Sequence, residues 1–283
     1  MPRSTDISPL SVLLGRVDAI SDGSPVHDTI ASGFPSVDKV LAGGFRRGDL
    51  IVLGGDVSSG KSALALAFAI RAAQQDTHVG FLTAEGSVDR TLERIIAIEA
   101  RAKIDDLRRG TLDHSARANA GAAALRLRDQ LPIVERLSTG GCDALAKQLD
   151  ALPALDLIVV DSSVALLTGS APYEEEMATV IRCLKTLALD RDAAILATAA
   201  LPRLTERPDR RPTLDDFGAL GAIKQLADVV LGLFRQDMYE PARDIAGATE
   251  LLIRKNRNGP TGYLDLYFYA QWIRFEDMLD PDR

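Results

Sequence analysis

A chain of 283 residues, 46% hydrophobic and only 5% aromatic, is long enough for one large α/β domain with a small appendage and requires no second full domain. No apolar run approaches the roughly 20 residues that a membrane helix needs, and the start, MPRSTDISPLS, lacks the charged-then-apolar order of a secretion signal, so a cytoplasmic protein without membrane contact is expected. The formal net charge of -7 argues against a surface that coats nucleic acid throughout, while leaving room for a local basic channel.

Cys142 and Cys183 have no CxxC partners, so they are expected to be unpaired, small buried apolar residues. His27, His78 and His114 show no metal-ligand spacing.

In chain order, SPLSVLLGRVDAI (8–20) repeats Leu10, Leu13, Leu14, Val17 and Ile20 at helical spacing behind Ser8 as cap and Pro9 in the first turn. A polar, turn-rich linker, SDGSPVHDT (21–29), follows. The periodicity is equally compatible with a helix that folds back on its own core and one that packs elsewhere. Residues 1–29 are therefore an appendage and 30–283 the main domain.

From Asp49 onward, apolar runs at 49–55, 79–85, 132–138, 155–162, 193–199 and 229–234 alternate with helical patterns at 62–75, 88–102, 113–130, 141–151 and 174–190. Near-continuous apolar strands separated by helices predict a parallel sheet covered on both faces. TELLIRKNR and TGYLDLYFYAQWIRFED then read as two strands joined through NGPTG, an antiparallel hairpin added to the sheet.

GDVSSGKS (55–62) follows the strand LIVLG and precedes the helical run ALALAFAIRAA, which is the strand-loop-helix context a GxxxxGK[ST] phosphate loop requires. Gly55, Asp56, Val57, Ser58, Ser59, Gly60, Lys61, Ser62 and Ala63 are the predicted nucleotide-binding residues. The glycines let backbone amides converge on phosphate oxygens, Lys61 reaches the β and γ phosphates, and the Ser62 hydroxyl ligates magnesium.

LDLIVVDSS ends an apolar strand with Asp161, where a carboxylate can hold the magnesium shell opposite Ser62; capping the next turn is the alternative. VGFLTAEGS puts Glu85 after a second strand of the same kind, as a candidate base for the attacking water or simply a surface acid.

Taken together, SGFPSVDKVLAGGFRRGDL, the phosphate loop, FLTAEGS, LIVVDSS, RPDRRPTLDDFGALGAIKQLADVV and KNRNGPTG resemble the RecA-like carboxyl-terminal motor domain of DnaB-type replicative helicases over about 30–277. The resemblance implies a P-loop NTPase fold and a ring, usually of six subunits, that hydrolyses nucleoside triphosphate with Mg2+ at subunit interfaces and draws single-stranded DNA through its pore, with 5'-3' polarity. It assigns Glu85 as catalytic glutamate, Asp161 as magnesium aspartate, Lys255 and Arg257 as cations donated to the neighbouring subunit, and the helix at 8–20 as the linker helix that docks on the next subunit. A helicase loader or other replication protein is an expected partner. On this resemblance, the family's amino-terminal collar is not expected within these 283 residues. Ala200 stands where the family has a phosphate-sensing glutamine. In the DNA-contacting loop, Gly218, Ala219 and Leu220 replace an arginine, a glutamate and a serine.

Gly218 and Gly221 are expected to leave amides accessible to DNA phosphate, with Lys224 adding a cation. PRLTERPDRRP carries Arg203, Arg207, Arg210 and Arg211, which fit either a solvated charged loop or a pore-facing DNA contact. In KNRNGPTG, period-2 spacing puts Lys255 and Arg257 on one face of a strand, aimed at one target. Two further functions remain open: a RadA-like recombination ATPase, against which the missing four-cysteine zinc module and protease-like tail argue, and a nucleotide-binding accessory subunit that does not unwind DNA.

Overall fold

The fold was obtained as a computed structural model, which describes residues 9–22, 28–201, 204, 207–240 and 245–278. Ser8 and Arg203, singled out above as a cap and a DNA contact, lie outside the described residues, as does most of the linker.

An exposed helix α1 (Pro9–Ser21) comes first. A two-stranded ribbon, β1 (Thr29–Ile30) with β2 (Phe45–Arg46), brackets α2 (Pro35–Val40). Then follow β3 (Leu50–Gly55), α3 (Lys61–Ala73), β4 (Val79–Thr83), α4 (Val88–Ala100), α5 (Ile104–Arg109), α6 (His114–Leu127), β5 (Ile133–Arg136), α7 (Gly141–Asp150), β6 (Leu157–Asp161), α8 (Tyr173–Asp190), β7 (Ala194–Ala200) and α9 (Ala222–Leu226). The chain closes with β8 (Val229–Arg235), β9 (Ala248–Asn256), β10 (Gly262–Tyr269) and β11 (Arg274–Asp277).

The main sheet has nine strands in the order β11-β10-β9-β8-β3-β7-β6-β4-β5. From β8 to β5 the pairing is parallel, and from β8 to β11 it is antiparallel. The parallel strands are buried along their lengths at β3, β4 and β6, as near-continuous apolar runs demand. One apolar layer sets Ile51, Leu53, Phe81 and Val159 against α3 and α4; the other sets Val52, Val160 and Ile195 against α7, α8 and α9. The sheet and its helix layers are therefore the predicted α/β fold.

Two differences from expectation follow from how the chain turns and packs. The second arm of the hairpin is two strands, because a 3-10 turn at Ala270–Trp272 and left-handed Ile273 reverse the chain between β10 and β11. The bond between Cys142 and Cys183 corrects the expectation of unpaired thiols: α7 and α8 pack side by side and bring their Cα atoms to 6.3 Å, which a separation of 41 residues does not reveal. Of the two placements left open for α1, the described side chains match the one away from its own core: Leu10, Leu13, Leu14 and Val17 are each more than half exposed.

Candidate functional site

All predicted phosphate-loop residues gather at the carboxyl edge of the parallel strands. Register pairs Gly55 with Ala200 and Thr83 with Asp161, so the ends of β3, β7, β4 and β6 form one rim. At the loop's end Gly60 has φ 102, and a Cβ there would lie 3.0 Å from the Phe275 ring, so glycine serves both the turn and the close approach of β11. Helix α3 begins at Lys61, directing its free amides back into the loop.

Three predicted side chains converge within this rim. The Ser62 hydroxyl donates toward Asp161 Oδ1 at 2.9 Å and toward Glu85 Oε2 at 3.2 Å. Asp161 is 1% exposed and its Oδ1 also accepts from Thr198 Oγ1 at 2.7 Å. Burial pushes the Asp161 carboxyl above its ordinary range and Glu85 adds to this, with the Thr198 and Ser62 hydrogen bonds and Arg94 opposing. An extra positive charge at this point would relieve the cost of a buried carboxylate beside a second one. Hydroxyl and carboxylate oxygens around one point also suit magnesium, which takes one or two carboxylates and completes its shell with water and phosphate. The residues present therefore fit the ion.

Lys61 folds over the loop and donates to the Asp56 carbonyl at 2.8 Å. Burial lowers its pKa, opposed by Glu85, Asp56 and Asp161. Asp56 in turn accepts from the Tyr239 hydroxyl at 2.9 Å. The Tyr239 phenol is pushed up to about 12 by burial and then by that carboxylate. Thr198 and Tyr239 were not singled out in the sequence. Thr198 leaves a signal, the one hydroxyl in the run AILATAA, whereas nothing in RQDMY marks Tyr239.

Lys255 and Arg257 are brought together, at the far end of the sheet. Lys255 Nζ donates to the carbonyls of Lys224 at 2.7 Å and Gln225 at 3.3 Å; Arg257 Nη2 donates to Gln225 O at 3.0 Å. Because β9 runs antiparallel to β8, its end lies beside Val229 and Leu50, where the parallel strands begin. The phosphate loop leaves β3 after Gly55, about 17 Å away at roughly 3.3 Å per residue along the strand. A sequence reading could not supply this, since it required the position of β9 in the sheet.

The proposed DNA residues are more committed than expected. Arg207 donates from both Nη atoms to Asp216, Arg211 grips Glu250 at 2.6 and 2.5 Å while its guanidinium lies over Phe234, and Lys224 pairs with Asp215. Arg210 covers the Tyr239 ring at 4.9 Å. Arg207, Arg210, Arg211 and Lys224 are thus neither freely solvated nor bare basic surface. The expectation of an accessible amide at Gly221 is corrected: its N–H donates to Gly218 O at 3.1 Å, closing the turn. Leu220 has φ 49 and is 67% exposed, and its N–H is taken by Glu174 Oε2 at 3.2 Å.

Residues 29–277 match the profile of the family described as the DnaB-like helicase C terminal domain. The chain is 28% identical over 276 residues to the replicative DNA helicase DnaB of Leifsonia xyli subsp. xyli, covering 95% of this chain and 60% of that protein. It is 34% identical over 252 residues to the replicative DNA helicase DnaB of Treponema pallidum, covering 87% and 55%. The chain thus spans less than two thirds of the relatives it matches. A solved DnaB-like replicative helicase, studied for its interactions with primase, superposes with a TM-score of 0.84 at 21% identity, covering 98% of this chain and 68% of its own.

Proposed function

The chain belongs to the DnaB-like helicase C-terminal domain family, and from that premise we propose that it is an ATP-hydrolysing motor which assembles as a ring, hexameric by family resemblance, moves along single-stranded DNA and unwinds duplex. The observation that carries the reading is a division of the site. Ser62, Asp161 and Glu85 meet at the phosphate loop, while the paired cations Lys255 and Arg257 sit at the other end of the same sheet.

Each residue has a physical task. The loop amides of 56–60 and the start of α3 bind phosphate oxygens, and Lys61, whose ammonium is disfavoured by burial, gains a strong anionic partner when they arrive. Ser62 and Asp161 would hold Mg2+, which supplies neutralisation of the phosphate charge. Glu85 lies on the exposed side of Ser62 and orients and deprotonates the attacking water. Lys255 and Arg257 cannot reach their own phosphate loop across a six-residue strand, so they serve the loop of an adjacent subunit. The exposed leucines of α1 supply an apolar contact for that subunit. No described helix is long and apolar enough to cross a membrane, and a cytoplasmic site of action at the replication fork, with a loader as partner, accompanies this reading.

ATP turnover measured with and without single-stranded DNA, alongside strand displacement on a forked duplex, tests the proposal. DNA-stimulated turnover with displacement is expected; turnover indifferent to single-stranded DNA at every salt concentration would overturn it. A second reading, a nucleotide-binding ring subunit that does not unwind, has one observation in its favour: Ala200, beside Gly55 at the rim, offers no hydrogen bond to sense phosphate. It is distinguished by Glu85→Gln leaving biological function intact while Lys61→Ala abolishes assembly.

A further inference from the structure

Arg257 is gripped by a buried carboxylate whose two oxygens do different work. Asp228 sits between α9 and β8, immediately before the strand that adjoins β3. Its side chain is 4% exposed. Oδ2 faces the fold: it accepts from the Leu50 N–H at 2.9 Å and from Lys185 Nζ at 2.6 Å, tying the start of β3 to α8. Oδ1 faces outward and accepts from Arg257 Nε at 2.8 Å. The Arg257 backbone N–H also donates to the Asp228 carbonyl at 2.8 Å.

The guanidinium is therefore fixed on one edge only. Nε is held by Asp228 and Nη2 by the Gln225 carbonyl at 3.0 Å. A guanidinium is a planar fork of five donors, so fixing Nε and one Nη2 hydrogen sets its plane, and among the described residues Nη1 has no hydrogen-bond partner. That side chain is 49% exposed, whereas the acid that holds it is almost wholly buried. The Lys185 ammonium neutralises the carboxylate from the inner side, so the outward oxygen orients Arg257 without adding a net negative charge where an anion would approach. The neighbouring Lys255 ammonium is held by the α9 carbonyls of Lys224 and Gln225, the second of which it shares with Arg257, so both cations rest on the end of one helix.

We propose that Asp228 is a positioning residue for phosphoryl transfer at the neighbouring subunit: its Oδ1 pre-sets the plane of Arg257 so that the unengaged edge meets the neighbour's terminal phosphate. The inference rests on the trans-acting role of Arg257 proposed above. An arginine held in one rotamer before the phosphate arrives loses less freedom on contact than a free one, and the gain appears in the chemical step and not in nucleotide binding.

The test compares Asp228→Asn, Lys185→Gln and Arg257→Ala in the assembled protein, by steady-state turnover, binding of a fluorescent ATP analogue and thermal melting. Asparagine is nearly isosteric; it can keep an oxygen on Leu50 and Lys185 but offers Arg257 a donor against a donor. Asp228→Asn is expected to lower kcat by about tenfold or more with KM and analogue affinity within about twofold, and to add nothing further on top of Arg257→Ala. Lys185→Gln, which loosens the inner oxygen and the Gly48 carbonyl and leaves the acid without its counter-cation, is expected to lower the melting temperature and to reduce kcat less than Asp228→Asn does.

If Asp228→Asn does not fold, Asp228→Asn combined with Lys185→Met removes the buried acid with its counter-cation, leaves neither charge unpaired, and carries the same expectation. A folded variant of either kind whose kcat stays within about threefold of the parent, while Arg257→Ala is inactive, overturns the positioning role and leaves the trans role standing. Normal turnover in Arg257→Ala overturns both.

Discussion

Gly54→Ala should disturb the rim of the phosphate loop through a single methyl group. Gly54 lies in β3 one residue before the phosphate loop, and its side-chain position faces the layer that contains Phe217. A Cβ built there would stand 2.4 Å from Phe217 Cε1, 2.8 Å from Cζ and 3.0 Å from Leu201 Cδ2. Ordinary contact needs about 3.5 Å or more between carbons, so the ring must retreat by roughly 1 Å. Phe217 is buried and ends the 3-10 turn Leu214–Phe217 directly before Gly218, so the retreat passes into the loop at 218–221. Overpacking of this kind costs about 1–3 kcal/mol.

Urea unfolding of Gly54→Ala, Phe217→Leu and the double variant forms a cycle in which the smaller leucine side chain should recover at least about 1 kcal/mol of the Gly54→Ala loss. The same Gly54→Ala variant should bind single-stranded DNA more weakly while its affinity for nucleotide is little changed. Stability of Gly54→Ala equal to the parent, or a double variant whose losses simply add, would refute the packing argument.

Glu85→Gln should reduce turnover by about 10²–10⁴-fold with nucleotide affinity little changed, read from steady-state rates and equilibrium binding, because the amide keeps the contact to Ser62 but cannot take a proton. Leu13→Glu with Leu14→Glu should shift assembly toward smaller species in light scattering while circular dichroism stays unchanged; each leucine is worth about 1.5–3 kcal/mol if buried by a neighbour, so the pair weakens association by about a hundredfold or more.

Asp49 is pushed up to about 6 from 3.8 by burial and then by Asp228, with Lys185, Arg46 and Arg257 opposing. A carboxyl whose folded pKa lies above its unfolded one holds its proton better in the folded state. Its contribution therefore favours folding below about pH 4 and is lost as the pH rises through 6. Asp49→Asn should accordingly shrink the difference between melting temperatures at pH 5 and pH 7.5; an unchanged difference would show that Asp49 does not titrate in that window.

Much of the chemistry was legible in the sequence because it is local or ends a strand. The phosphate loop needs only its own eight residues between a strand and a helix, and Asp161 and Glu85 were placed by the rule that parallel strands deliver their last side chains to one rim. The alternation of apolar runs specified the parallel sheet and its two helix layers for the same reason: side-chain period is written in neighbouring residues.

Pairings between distant segments were not legible. Period-2 spacing put Lys255 and Arg257 on one face, but only the antiparallel placement of β9 beside β8 put that face at the opposite end of the sheet from Gly55. The basic run at 203–211 fitted a solvated loop or a DNA contact equally by its sequence, and only the fold brought Asp216, Glu250 and Phe234 from three other segments against Arg207 and Arg211. Cys142 and Cys183 met only once α7 and α8 lay side by side. Asp228, one acid in QLADVV, carried no sign that its oxygens would be shared between Leu50, Lys185 and Arg257. Which groups are candidates to act on a phosphate was readable along the chain, because backbone periodicity and loop chemistry are encoded by adjacent residues. Which of those groups share a site was settled in three dimensions, because the partners that hold or occupy them are set by how the sheet is ordered.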